Sequence, residues 1–146
     1  MGLTIFLPNQ LAVVMAKANE FRLIIASSAS YTSEYPTYLS ITDVEQRIIE
    51  QQKRLRVDTQ LALVSGTHMG IEPQAALLAD RLALPYYRFT QPAIRPMIAA
   101  DFACNERMAA FSHAIVALWD GEDSLVKHLM GAAHYHKLQI VNLEGQ

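Results

Sequence analysis

The sequence predicts an α/β domain: a doubly wound, mostly parallel five-stranded sheet with helices on both faces. Three observations lead there. Short apolar runs alternate with longer segments of helical periodicity from residue 21 onward. The runs are continuous rather than alternating, which suits strands covered on both sides. The length of 146 residues is enough to bury one substantial core. Residues 1–20 are expected to form an N-terminal arm and residues 21–146 a single domain.

Each element follows from its own residues. FRLIIASS is the first strand, ending in small polar residues. A polar, aromatic loop follows, and Thr42 with Glu45 three residues on has the spacing of a capping box, so a helix is expected to start there. Val44, Ile48, Ile49 and Leu55 recur as its apolar positions. QLALVSG repeats the strand pattern. The next helix is expected to open near Glu72 and Pro73, since proline is tolerated in a first turn and an acid there suits the dipole. Ala75, Ala79 and Leu82 form its buried stripe.

Leu84 to Phe89 reads as a third strand near a sheet edge, because Pro85 cannot donate to a ladder. A helix from Asp101 to about Ser112 offers Phe102, Met108 and Phe111 to the core. HAIVALWDG is the fourth strand. Val126, Leu129, Met130 and Ala133 mark a last helix from Asp123 to His136, and LQIVNL closes the chain's pattern as a fifth strand. Strict βα alternation with right-handed crossovers makes this a Rossmann-like sheet.

Composition narrows the function classes. Apolar residues make up 51% and charged residues 18%, too hydrophobic for disorder and rich enough to predict a homo-oligomer. A net charge of −2 with no Lys/Arg run lacks the electrostatic footprint of a nucleic-acid binder. The single cysteine, Cys104, excludes an internal disulfide framework and multi-cysteine zinc patterns, which fits a cytoplasmic setting. The first 21 residues lack a basic start, and Pro8, Asn9 and Gln10 interrupt them before any bilayer-spanning length, so no membrane association is expected. Leu11, Val14, Met15 and Ala18 instead suit a short helix over 8–18.

In an open parallel sheet, ligands bind beyond the carboxyl ends of the strands. The candidates there are Ser27 and Ser28, the turn Ser65-Gly66-Thr67-His68-Met69-Gly70, and Asp120-Gly121. Gly66 and Gly70 would let backbone approach an anion at the start of the next helix. The turn is neither a Walker A loop nor a GxGxxG dinucleotide turn, and a tight structural turn explains the glycines equally. His68 could meet a phosphate or act as an acid or base, or simply be an exposed loop residue. Glu72 could bond a ribose or serve as a base, or merely favour the helix start. Asp120 could hold a ligand hydroxyl, or shape the turn before Gly121.

Other residues have plainer readings. His128, His134 and His136 do not share one helix face in metal-binding spacing, and no HExxH motif occurs, so no metal site is expected. Cys104 is placed near a helix start, where a thiol pKa can fall, and reads as either a nucleophile or an inert half-buried thiol. Lys127 is expected to be solvated. Tyr31, Tyr35 and Tyr38 could stack on a base or anchor an interface, and Trp119 belongs to the core.

LIIASS, VSGTHMGIEPQAALLADRLALPY and NERMAAFSHAIVALWDG, in this order and spacing, resemble the small proteins of the SLOG superfamily, in the YspA/YpsA-related branch. The resemblance spans about Phe21 to Leu143, and the SGxxxGI turn is also similar to that of the DNA-processing protein A family. It implies a pocket for a nucleotide or nucleotide-derived ligand, often in a homo-oligomer, with Ser27, Ser28, Ser65, Gly66, Thr67, His68, Gly70, Glu72, Asn105, Asp120 and Gly121 as ligand-binding positions.

Departures from that pattern are specific. The usual Gly-Ser-Arg turn reads Ser27-Ser28-Ala29, and Ser65 stands where a second glycine is common. Glu72 replaces an aspartate, the Arg-Asn pair reads Cys104-Asn105, and a helix-opening Gly-Thr reads Leu125-Val126. The Pro-Gly-Gly-x-Gly-Thr signature of the phosphoribohydrolase branch is absent.

The expectation is therefore a binding protein for a nucleotide-derived small molecule, acting as sensor, carrier or sequestering protein, with no resident cofactor and no catalytic residues assigned. One alternative is an oligomeric protein-interaction module with a decayed pocket. The other is an N-glycosidic or phosphoribosyl hydrolase using Glu72 or Asp120.

Overall fold

The computed structural model describes residues 19–28, 38–66, 72–90, 97–119 and 121–142. The elements alternate along the chain: β1 (Glu20–Ser27), α1 (Tyr38–Arg54), β2 (Gln60–Gly66), α2 (Glu72–Arg81), β3 (Tyr86–Phe89), α3 (Met97–Phe111), β4 (Ala114–Leu118), α4 (Ser124–Tyr135) and β5 (Gln139–Asn142). All strand pairs are parallel, and the spatial order is β3-β2-β1-β4-β5. This is the doubly wound, Rossmann-like arrangement expected from the alternation.

The order fixes the layers. Right-handed crossovers that step from β1 to β2 to β3 put α1 and α2 on one face. The reversal to β4 and then β5 puts α3 and α4 on the other. Successive residues of β1, Leu23 to Ala26, are all buried, as are Leu61 to Val64 of β2 and Ala114 to Leu118 of β4. Both parities are sheltered, so each face is covered, which is why these strands read as unbroken apolar runs.

The helices are tied within each layer. Arg81 of α2 pairs with Glu45 of α1 at 2.7 Å. In the opposite layer, Phe102 of α3 stacks on His128 of α4 with centroids 4.0 Å apart. Val44 and Ile48 of α1, Leu78 of α2, Met108 of α3, and Val126 and Leu129 of α4 are the fully buried anchors.

Several element boundaries differ from expectation. α1 begins at Tyr38, so Thr42 and Glu45 lie inside the helix rather than forming its cap. No Gly or Pro separates Pro36 from Thr42, leaving nothing to stop the helix earlier. α3 begins at Met97 rather than Asp101, because Met-Ile-Ala-Ala contains no breaker and two of the best helix formers. Glu20, assigned to the arm, is the first residue of β1 and is buried. β3 is the edge strand that Pro85 indicated. The expected arm helix over 8–18 and the loop tyrosines Tyr31 and Tyr35 lie outside the described residues.

Two helices end alike. After α2, Ala83 adopts φ 57° and the Leu84 amide donates to the Ala79 carbonyl at 2.8 Å. After α4, Lys137 adopts φ 61° and the Leu138 amide donates to the Ala133 carbonyl at 2.9 Å. Each is a Schellman closure in which a left-handed residue turns the chain and the following leucine, 8% exposed in both, tucks against the helix.

At the amino ends of the strands lies a compact polar cluster. The Glu20 carboxylate accepts from the Tyr87 phenol and stands 3.7 Å from the Arg22 guanidinium. Arg22 in turn lies over the Phe111 ring, 4.2 Å from its centroid, and donates through Nε to the Phe111 carbonyl. His113 Nδ1 accepts from the Arg22 amide at 2.9 Å while its ring stacks on Phe21.

Candidate functional site

The strand order reverses between β1 and β4, and the crevice at their carboxyl ends is where a doubly wound sheet admits ligands. Ser27 lies opposite Leu118 in the ladder, and the Ser28 amide extends the pairing by donating to the Leu118 carbonyl at 2.9 Å. Ser27 Oγ donates to the Ser28 carbonyl at 3.2 Å. Both serines are buried. Both are small residues at the end of β1, and these hydrogen bonds run into the fold.

The β4 side is closed by its own carboxylate. Asp123 caps α4, its Oδ1 accepting from the amides of Leu125 at 2.9 Å and Val126 at 3.2 Å. Those are the first amides an incoming anion would need. The Trp119 indole donates to the Asp123 backbone carbonyl at 3.3 Å, fastening the turn from β4 to α4. Gly121 supplies the φ of +87° within that turn. A phosphate at the start of α4 would have to displace Asp123 and overcome its charge. The Leu125-Val126 pair thus has a structural counterpart: its amides are satisfied internally.

On the β2 side, Ser65 is buried and its hydroxyl shares a hydrogen bond with the Tyr86 phenol at 2.8 Å. Gly66 ends β2 opposite Phe89. The pairing of Leu23 with Leu63 puts Ser27 and Ser65 on one sheet face, on adjacent strands. Thr67, His68, Gly70 and Asp120 lie outside the described residues, as does the side chain of Glu72, whose backbone opens α2.

Asn105 stands apart from this group. It is fully buried within α3, and its Nδ2 donates to the Leu125 carbonyl at 3.1 Å and approaches His128 Nδ1 at 3.2 Å. The structure brings it to the seam between α3 and α4. Cys104 differs from expectation: it lies in the interior of α3, completely buried, with Sγ 3.9 Å from the Phe89 carbonyl. Burial pushes its thiol pKa up, and the partial opposition of Arg107 does not reverse this. The earlier start of α3 removes the helix-terminus argument for a low thiol pKa.

The roles of two residues were not visible in the sequence. Asp123 was visible as a helix start, since a capping residue precedes an apolar run, but its occupation of the α4 amides needed coordinates. His128 stacks on Phe102 and meets Asn105 across a tertiary contact, for which no local signal exists. Among the described residues, no helix is long and apolar enough to cross a membrane. No protein-family model matches the chain, and no curated protein matches it.

Proposed function

We propose that this protein binds a nucleotide or nucleotide-derived small molecule at the carboxyl ends of its strands, as a cytoplasmic sensor, carrier or sequestering protein. The observation that supports this reading is the β3-β2-β1-β4-β5 order with small residues Ser27, Ser28, Ser65 and Gly66 at the ends of its two central neighbours. Small side chains at these positions let a ligand approach backbone. Since Asp123 already holds the α4 amides, the anionic part of the ligand is assigned to the turn after β2, where Gly66 and Gly70 precede α2 in the sequence. The SLOG resemblance points to the same turn.

A thermal-shift panel of purine and pyrimidine nucleotides, dinucleotides and ADP-ribose tests this. A ligand present at ~100 times its dissociation constant adds ~2.7 kcal/mol. Gly70→Asp should remove that shift, and a panel with no shift overturns the proposal. Release of base or ribose during hours of incubation would instead favour the hydrolase reading.

The internal bonding of Ser27 and Ser65 favours a second reading, an oligomeric interaction module whose pocket has decayed. Leu77, 69% exposed on α2, suits a contact surface. Sedimentation showing a monomer at tens of micromolar, with no nucleotide shift, would overturn this one too.

A further inference from the structure

A second concavity runs along the outer side of α3 and α4, away from the sheet. Its α4 wall carries Ser124, Lys127, His128, Gly131 and Tyr135, and Glu106 of α3 stands opposite. On a helix these α4 positions recur on one face. The Ser124 hydroxyl, the Lys127 ammonium and His128 Nε2 have no hydrogen-bond partner among the described residues.

The His128 ring is held in one orientation and one tautomer. The Asn105 amide must present Nδ2 to the Leu125 carbonyl, because the flipped amide would set two acceptors 3.1 Å apart. That same NH2 group has a second hydrogen, and it points to His128 Nδ1 at 3.2 Å. Nδ1 therefore accepts, and the proton of the neutral imidazole sits on Nε2. Phe102 fixes the ring plane from the other side, with an interplanar angle of 8°. With Nδ1 occupied by the buried amide, Nε2–H is the ring's remaining donor, and His128 lines the groove.

We propose that this groove binds a small phosphate-type oxyanion, with His128 Nε2–H, Lys127 and Ser124 as donors and Asn105 as the positioning residue. The site rests on side chains, since the first α4 amides belong to Asp123. Glu106 is drawn toward His136, 3.2 Å away, which leaves the α4 wall as the side for an anion. Gly131 has no atom within 4 Å of where a Cβ would stand, so the middle of the groove is open. Its donors Ser124, Lys127 and His128 are not among the residues assigned to the proposed nucleotide crevice, and the proposal does not depend on that reading.

Inorganic phosphate is the probe, titrated into the full chain against chloride at constant ionic strength, with histidine ring nitrogens followed by NMR. The free protein should show His128 as the Nε2–H tautomer, and phosphate should shift its Nε2 signal with saturation in the millimolar range. Lys127→Ala, a surface change, should weaken binding about threefold or more. Read from the backbone amide shifts of α4, since the reporter ring is then gone, His128→Phe keeps a ring on Phe102 and should abolish the response, and Gly131→Leu should do the same by filling the groove. Gly70→Asp should leave the response intact. An Nδ1–H tautomer, a shift that chloride reproduces, or an unchanged response in Lys127→Ala and Gly131→Leu would overturn the proposal.

Discussion

Tyr87 and Glu20 are joined by a forked contact: the phenol oxygen lies 2.9 Å from one carboxylate oxygen and 3.0 Å from the other. The Glu20 side chain is 1% exposed, and its nearest cation, Arg22, is 3.7 Å away. A buried carboxylate so placed depends on the phenol for its closest donor. Tyr87→Phe should therefore cost about 1.5–3 kcal/mol in a urea unfolding curve. A change within error of zero would mean that Arg22 or water satisfies Glu20 alone.

The same contact sets an alkaline limit. Burial first, then the hydrogen bond and charge of Glu20, push the Tyr87 pKa up to about 12 from an ordinary 10.0, against a smaller opposing effect of Arg22. The folded state thus holds the phenol proton more tightly than the unfolded chain does. Its contribution is complete below pH 10 and is lost as pH rises toward about 12. Unfolding midpoints measured across that window should fall more steeply for the native protein than for Tyr87→Phe. Parallel profiles would remove Tyr87 from the account.

His113 sets an acid limit by the opposite sign. Although the residue is exposed, its Nδ1 is turned onto the Arg22 amide, and burial followed by the Arg22 charge lowers its pKa below the ordinary 6.5, with Glu20 pulling the other way. The fold favours the neutral ring, so stability present above pH 6.5 declines as the solution is acidified through the lowered value. His113→Phe preserves the stack on Phe21 and should flatten the melting-temperature profile between neutral and mildly acid pH. An unchanged slope would assign the acid sensitivity to other groups.

Ala83 and Lys137 occupy left-handed backbone that glycine adopts without steric cost. Ala83→Gly and Lys137→Gly should each stabilise the protein by about 1 kcal/mol, and the gains should add because the sites are remote from each other. A loss of stability in calorimetry would show that the Cβ at these positions makes contacts worth more than the strain.

The strands and their order of appearance were legible because burial on both faces leaves an unbroken apolar run, as in LIIA and LALV. The start of α4 was legible because a cap and an apolar stripe coincide at Asp123. Helix starts without a sharp breaker were not: the internal Thr42–Glu45 pair imitates a capping box, and Met97 follows no capping residue. The candidate site divided similarly. Sequence located Ser27, Ser65 and Gly121 at strand ends, but whether a hydroxyl or amide turns inward is a tertiary matter. Asn105 illustrates the difference, since its partners Leu125 and His128 lie 20 and 23 residues along the chain.

The central position of β1 has a consequence for how the chain reaches this state. One edge of β1 pairs with β2, its next strand, but the other must wait for β4. Arg22 and His113, whose bond sits at the start of that second pairing, are 91 residues apart. Such distant pairing carries a high loop-closure cost and folds slowly. Until β4 has been synthesised and docked, β1, with its wholly buried run Leu23 to Ala26, presents an open edge, the feature that recruits other chains. Aggregation during biosynthesis should accordingly concentrate on Leu23 to Ala26, and chains truncated before Ala114 should be its clearest victims.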